Sequence, residues 1–166
     1  MTGSPEPMES RSLKSRLIPM QQKPLLLPAS CIADVVDYSR PSGNREKNSW
    51  FLGEIDWRGQ TLPLISFERI NGGRFAEFSA TARIAVMHSS TGNEQLPFYG
   101  MVIQGIPRTL DLTAGDVQPA IEADTGSAET FRVIIKEIPA AIPDLEKVEQ
   151  QLSAMFTDRP KDTASH

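Results

Sequence analysis

Residues Trp50–Phe67 read Trp-Phe-Leu-Gly-Glu-Ile-Asp-Trp-Arg-Gly-Gln-Thr-Leu-Pro-Leu-Ile-Ser-Phe. Two short apolar runs flank Arg58-Gly59. A two-residue loop ending in glycine is the commonest hairpin connection, because glycine accepts the positive φ such a turn demands. With Arg58-Gly59 as the loop, Trp57 faces Gln60, Asp56 faces Thr61 and Ile55 faces Leu62. Side chains alternate along a strand. Ile55, Trp57, Leu62 and Leu64 therefore share a core face, and Glu54, Asp56 and Thr61 share the other. The arginine then stands on a tight turn, beside a glycine that lets a partner's backbone come close. This is the pattern of a docking hairpin.

Working outward, the rest of the chain reads as more short strands. Pro24–Leu27 is a strand, and Arg16–Met20, interrupted by Pro19, is an edge strand at best. A short turn after Ser30 leads into a strand around Val35-Val36. Residues 39–49 form a polar loop, and Ile70–Arg74 is turn-rich. Thr81–His88 alternates cleanly and pairs with Phe98–Ile103 in a second hairpin, and Pro107–Leu112 extends into a third strand. Val117–Ser127 is acidic and loop-like. Phe131–Lys136 is rich in β-branched residues and is a strand. Pro143-Asp144 opens the one clear helix, in which Leu145, Val148, Leu152, Met155 and Phe156 recur at helical spacing. Asp144 suits the N-terminus of that helix, and Glu146, Lys147 and Glu149 fall on its wet face. Residues 1–13, rich in Ser, Pro and Glu, and the polar residues 157–166 read as disordered tails around a domain at 14–156. The count of short strands and the break near Gly73 favour a mainly β fold of two small barrels, since closure removes exposed edges.

The chain of 166 residues, with a formal net charge of −4 and one cysteine, is long enough to bury a core unaided. The acidic balance argues against broad nucleic-acid binding. A lone Cys31 builds no disulfide framework, which makes a reducing cytoplasm the expected compartment. Leu25-Leu26-Leu27 is far too short for a membrane span or a signal-peptide core, so membrane association is expected only through a partner.

Catalytic and cofactor chemistry finds little to work with. The two histidines are His88 and His166, and a nucleophile–base–orienter set has no natural members. Cys31 reads as a small core residue. Three Cys and His residues in all do not make a zinc site. Asp34 with Asp37, and Glu122 with Asp124, are spacings that solvated surface charge produces by chance. Gly72-Gly73 lacks the pattern of a phosphate loop. Neither a catalytic residue, a metal ligand nor a cofactor site is expected, and the chain reads as a binding protein.

The segments resemble the CheW-like domain of bacterial chemosensory coupling proteins over roughly Lys14–Phe156. Gly53-Glu54-Ile55-Asp56-Trp57-Arg58-Gly59-Gln60-Thr61-Leu62-Pro63-Leu64-Ile65 is similar to the family's G-x-I-N-L-R-G-x-x-x-P-V-I signature. Leu25–Pro28 through Ile32-Ala33-Asp34-Val35-Val36 resembles its apolar strand and V-x-E-V segment. Tyr99–Ile106 resembles its G-L-x-V-D-x-V stretch. The resemblance implies two five-stranded, SH3-like β-barrel subdomains sharing a core, with a C-terminal helix. It implies a non-catalytic adaptor joining the signalling tip of a methyl-accepting chemoreceptor to the regulatory domain of a CheA-type histidine kinase, in the cytoplasm and at the inner-membrane face or pole through those complexes. It also implies that Arg58, Gly59, Asp34 and Ile32 lie on the protein-binding surface, with Asp56 beside them. Here Asp56-Trp57 replaces the family's Asn-Leu, Ser66 an Asp, and Gln104 another Asp. These departures resemble an accessory adaptor, of the ChpC-like type found in type IV pilus chemosensory systems that control twitching. The competing expectation is a small β-barrel ligand sensor or enzyme with a pocket between the barrels.

Overall fold

The computed structural model describes residues 12–21, 23–43, 50–72, 80–90, 94–120 and 126–157. Of the expected tails at 1–13 and 157–166, residues 1–11 and 158–166 lie outside them, while Leu13 begins the first strand and Thr157 ends the C-terminal helix. The first half supplies β1 (Leu13–Ile18), β2 (Leu25–Pro28), β3 (Ile32–Asp37), β4 (Phe51–Trp57), β5 (Gln60–Ile65) and a short helix α1 (Phe67–Ile70). There follow β6 (Arg83–His88), β7 (Phe98–Ile103), β8 (Arg108–Leu112), β9 (Val117–Pro119), β10 (Glu129–Ile135), β11 (Ile138–Pro143) and the C-terminal helix α2 (Leu145–Thr157).

The strands form two sheets, one in the order β3-β6-β7-β5-β4 and one in the order β8-β1-β2-β11-β10-β9. The second therefore has six strands where five were expected. Nor does the division fall near Gly73. β1 and β2 leave the N-terminal half and complete the sheet of the C-terminal strands. β1 is also no edge strand, because it pairs with β2 on one side and β8 on the other. Pro19 lies one residue past its end, so the missing N–H interrupts no ladder bond, and its carbonyl accepts from Gln104 N at 2.9 Å.

Each sheet wraps around its own apolar interior. Leu52, Ile55, Trp57, Leu62, Leu64, Ile84, Val86 and Val102 fill the first, with Ala33 and Val36 of β3 packed on them. Leu17, Leu26, Leu112, Val133, Ile135 and Ala140 fill the second. A turn at Ala114–Asp116 joins β8 to β9, the two ends of that sheet order. Thr113 braces it, donating from both N–H and hydroxyl to the Asp116 carboxylate at 2.9 and 3.1 Å.

Alternation then builds a third core between the barrels. On β6, Ile84 and Val86 point into the barrel while Ala85 and Met87 point away from it. On β7, Val102 goes inward and Tyr99, Met101 and Ile103 go outward. On β2, Leu26 faces its barrel while Leu25 and Leu27 join the shared layer. α2 covers this layer with Val148 and Leu152, both fully buried. Burying such side chains contributes about 1.5–3 kcal/mol each, so this layer joins the two barrels through a shared core. β2 and β7, buried on both faces, read as near-continuous apolar runs.

Four local features depart from the sequence reading. Val117–Pro119, read as part of a loop, is the strand β9, held by antiparallel pairing with β10. β11 was not anticipated, because Ile138-Pro139-Ala140-Ala141-Ile142-Pro143 has poor strand propensity. The turn before it places Lys136 and Glu137 at φ of 46° and 74° with no glycine to announce it. α1 was not anticipated either. The Ser66 hydroxyl caps it by accepting from Arg69 N at 3.4 Å. Glu149, assigned to the wet face of α2, is 2 % exposed. It accepts from Ser89 Oγ, Ser90 N, Ser90 Oγ and Tyr99 Oη, which pins α2 to the end of β6 and to β7. Elsewhere α2 follows expectation: Glu146 is exposed, and Lys147 N donates to the Asp144 carboxylate at 3.1 Å.

Candidate functional site

The β4–β5 hairpin has the register read from its sequence, with Trp57 opposite Gln60, Asp56 opposite Thr61 and Ile55 opposite Leu62. Arg58 and Gly59 take φ of 49° and 79°, both in the left-handed region that twists a two-residue turn correctly for its strands. A non-glycine residue held there costs on the order of 1 kcal/mol or more, so the arginine is kept at the tip against its backbone preference. Behind the tip, Gly53 has φ of +129°, and a Cβ on it would stand 2.5 Å from the Ser42 carbonyl oxygen. Ser42 and Glu54 exchange two backbone hydrogen bonds of 2.8 Å there. The same irregularity in β4 turns Phe51 to the shared core and Leu52 into the barrel.

β3 and β4 stand at opposite ends of the sheet order, and side chains bring them together. The Asp34 carboxylate on β3 accepts from the Trp57 indole N–H at 3.0 Å and from its neighbour Val35 N at 2.9 Å. It also accepts from Arg58 Nη2 at 3.5 Å. The register irregularity between Ile32 and Asp34 in β3 lies at this point. Asp34 thus closes a seam of the barrel. The Arg58 guanidinium lies 4.9 Å from the centroid of the Trp57 ring. Trp57 in turn packs on Phe98 at 4.9 Å between centroids, and Phe98 on His88 at 5.2 Å. A continuous run of ring contacts links Arg58 on the tip, through Trp57 and Phe98, to His88 at the end of β6.

Energetics separate the roles within this cluster. The Arg58 side chain is 69 % exposed and that of Asp34 30 %, so their ion pair contributes at most about 1 kcal/mol. Trp57 is 7 % exposed, and its indole N–H depends on Asp34. Trp57 and Asp34 are therefore structural to the rim, and Arg58 stands on it with donors still directed to solvent. Among the described residues other than its chain neighbours, Gly59 has no atom within 4 Å of where a Cβ would be, which leaves its backbone open to approach.

The structure accordingly brings Asp34, Arg58 and Gly59 together and adds Trp57. Asp56 adjoins the cluster in sequence but turns to the outer face, where it accepts from Thr61 Oγ1 at 3.4 Å. Ile32 lies beyond the irregularity in β3 and packs on the shared core. Phe98 and His88 were not assigned to the site from sequence. The signal was present, since the two residues are register partners in the β6–β7 hairpin.

The remaining reactive groups are quiet. Burial, and then the Glu149 charge, push the Cys31 thiol up from its ordinary range. Burial likewise pushes the Tyr99 hydroxyl well up, with the Glu149 charge adding to it. Among the described residues no three His, Cys, Asp or Glu side chains gather as a metal site. The space between the barrels, where a ligand pocket was the competing expectation, is filled by Ile18, Leu25, Ile65, Met87, Tyr99 and their neighbours. At its margin lies a cleft of about 220 Å³ beside α1 and β10.

The family model described as the CheW-like domain matches residues 17–152 of the chain. The chain is also similar to a solved structure, the scaffolding protein TtCheW from Thermoanaerobacter tengcongensis. That similarity has a TM-score of 0.65 at 16 % identity and covers 80 % of this chain and 88 % of the other. At that identity it bears on the fold, which it supports over both barrels. No curated protein matches the chain by sequence.

Proposed function

Since the chain belongs to the CheW-like domain family, we propose that it is a non-catalytic adaptor that couples the signalling tip of a methyl-accepting chemoreceptor to the regulatory domain of a CheA-type histidine kinase. The observation that carries this reading is the rim at the β4–β5 tip. An exposed arginine stands there at positive φ, with its guanidinium beside Asp34 and over the Trp57 ring. A planar guanidinium with free donors suits carboxylates and backbone carbonyls on a partner. Stacking on Trp57 fixes its plane beforehand and lowers the ordering cost of docking. The scaffold description of the similarly folded TtCheW agrees with this role.

An adaptor needs no single tight contact. A micromolar contact corresponds to about 8 kcal/mol, and engaging two partners at once turns the second contact into an intramolecular one. The folding unit we assign to this role spans residues 14–156, with Ile32, Asp34, Asp56, Arg58 and Gly59 on or beside its protein-binding face. No described helix is long and apolar enough to cross a membrane. In this reading the chain reaches the inner-membrane face through its receptor.

The replacement of Asn-Leu by Asp56-Trp57 supports the narrower assignment to a ChpC-like accessory adaptor in a pathway controlling type IV pilus motility. The indole at position 57 adds the bond to Asp34 that leucine has no donor to make. It thereby ties the tip to β3 and changes the surface a partner meets.

The experiment is co-purification with a receptor signalling tip and with the kinase regulatory domain. Arg58→Glu should abolish capture of at least one of them while the thermal melt stays within about 2 °C of the parent, as a surface change of under 0.5 kcal/mol implies. Undiminished capture of both would remove Arg58 from the docking surface.

A further inference from the structure

The cleft at the margin of the shared core is bounded by Gln21 and Lys23 between β1 and β2, by Glu68 and Asn71 at α1, and by Glu129 and Arg132 of β10. Its apolar side is formed by Leu25, Phe67 and Ala141, each buried in the core beneath. At about 220 Å³ it is smaller than the pockets of roughly 300–1,000 Å³ that take drug-sized ligands. It suits a molecule of a few heavy atoms.

The charges around it divide into two kinds. Glu129 is spent. Its carboxylate accepts from Arg132, from Asn71 Nδ2 and from Gly126 N, so that acid and Arg132 neutralise one another. The approach is close enough that a Cβ on Gly126 would meet the Asn71 side chain at 2.3 Å. This network clasps the segment after α1 to the start of β10.

Glu68 and Lys23 are of the other kind. One Glu68 oxygen, Oε2, accepts from Gln21 N at 2.7 Å, and Oε1 has no hydrogen-bond partner among the described residues. The Lys23 ammonium likewise has no acceptor or acid among the described residues. The two do not pair with each other, although both line the same cleft. Burial pushes the Glu68 carboxyl up, against the smaller opposing pull of the Gln21 N–H, as expected for an acid no cation compensates. A ligand carrying one positive and one negative charge would satisfy both groups, whereas a simple cation would face Lys23 and a simple anion would face Glu68.

We propose that this cleft binds a small zwitterion with an aliphatic body, of the α-amino-acid class. Its ammonium group meets Glu68, its carboxylate meets Lys23, and its apolar part lies on Leu25 and Phe67. The site is separate from the Arg58 rim and does not depend on the adaptor reading.

The test follows backbone amide shifts of the full chain by NMR during titration with L-valine and, separately, with isobutylamine and isobutyrate, each of which keeps one of its two charges. L-valine should give saturable shifts at residues 20–25, 67–72 and 126–132. Glu68→Gln, which retains an acceptor for Gln21 N, and Lys23→Gln should each weaken it at least about tenfold, and the single-charge analogues should bind at least about tenfold more weakly in the parent. No saturable shift up to about 10 mM, a concentration at which contacts worth some 3–4 kcal/mol are visible, would overturn the proposal. Undiminished binding in both variants would do the same, as would isobutylamine or isobutyrate binding as well as L-valine.

Discussion

Asp34→Ala tests the rim most directly. It removes the acceptor of three donors at once: the Trp57 indole N–H at 3.0 Å, Val35 N at 2.9 Å and Arg58 Nη2 at 3.5 Å. The three losses differ in size. Trp57 is 7 % exposed, so its indole N–H is left without a partner in a largely dry place, which costs about 1–3 kcal/mol. Arg58 is 69 % exposed, so its donor returns to water and its share is a few tenths of a kcal/mol. The expected total is about 2 kcal/mol, or a fall of roughly 4–8 °C in Tm for a chain of this size. Urea unfolding followed by tryptophan fluorescence measures it, with Trp50 as reporter where Trp57 is replaced. The double-mutant cycle with Trp57→Phe identifies the source. Phenylalanine keeps an aromatic body and has no N–H, so Asp34→Ala in that background should cost less than half as much. If the cost stays under 0.5 kcal/mol (a typical surface value), or is unchanged when the indole N–H is already gone, then Asp34 does not hold the seam through Trp57 and the reasoning fails.

Other perturbations separate structural from docking groups. Glu149→Ala removes the acceptor shared by half-buried Ser89, exposed Ser90 and buried Tyr99, and unfolding should become easier by about 1–3 kcal/mol, most of it from the Tyr99 hydroxyl, with α2 losing amide-exchange protection before the sheets. The pH dependence of unfolding should show Glu129. Burial opposes its charge, but hydrogen bonds from Arg132, Asn71 and Gly126, together with the Arg132 charge, hold its carboxyl below the ordinary range. A lowered folded-state pKa contributes stability that is present above the unfolded value near 4.3 and is lost as pH falls through the folded value, so Glu129→Gln should flatten the acid limb of a stability–pH curve between about pH 5 and 3.

Much of this molecule is legible locally. The hairpin register follows from Arg58-Gly59 and two residues of alternation on each side. The β6–β7 pair follows from Thr81–His88 and Phe98–Ile103, and the buried stripe of α2 from Leu145, Val148, Leu152 and Met155. In each case the signal and the contact lie within a few residues of one another, so periodicity and turn chemistry suffice. β11 escaped because its prolines and alanines argue against a strand, and what makes it one is pairing along β10 and contact with β2. Strand propensity is a weak guide when burial and partners decide.

The site shows the same division. The Arg58-Gly59 turn and the amphipathic faces of the strands were readable from the chain, because backbone preference and alternation are properties of neighbours, whereas Asp34 was singled out by the family resemblance alone. Three things came only from the tertiary structure. Asp34 and Trp57, 23 positions apart, form a bond that closes the barrel. β1 and β2 cross over to finish the second barrel. Glu149, polar and at the edge of a helical stripe, lies under Ser89 and Ser90, 60 and 59 residues earlier in the chain. The physical reason is common to all three. A polar side chain has no preferred partner written in its own sequence, and only when the apolar faces have packed is it settled which donors and acceptors are left together out of water.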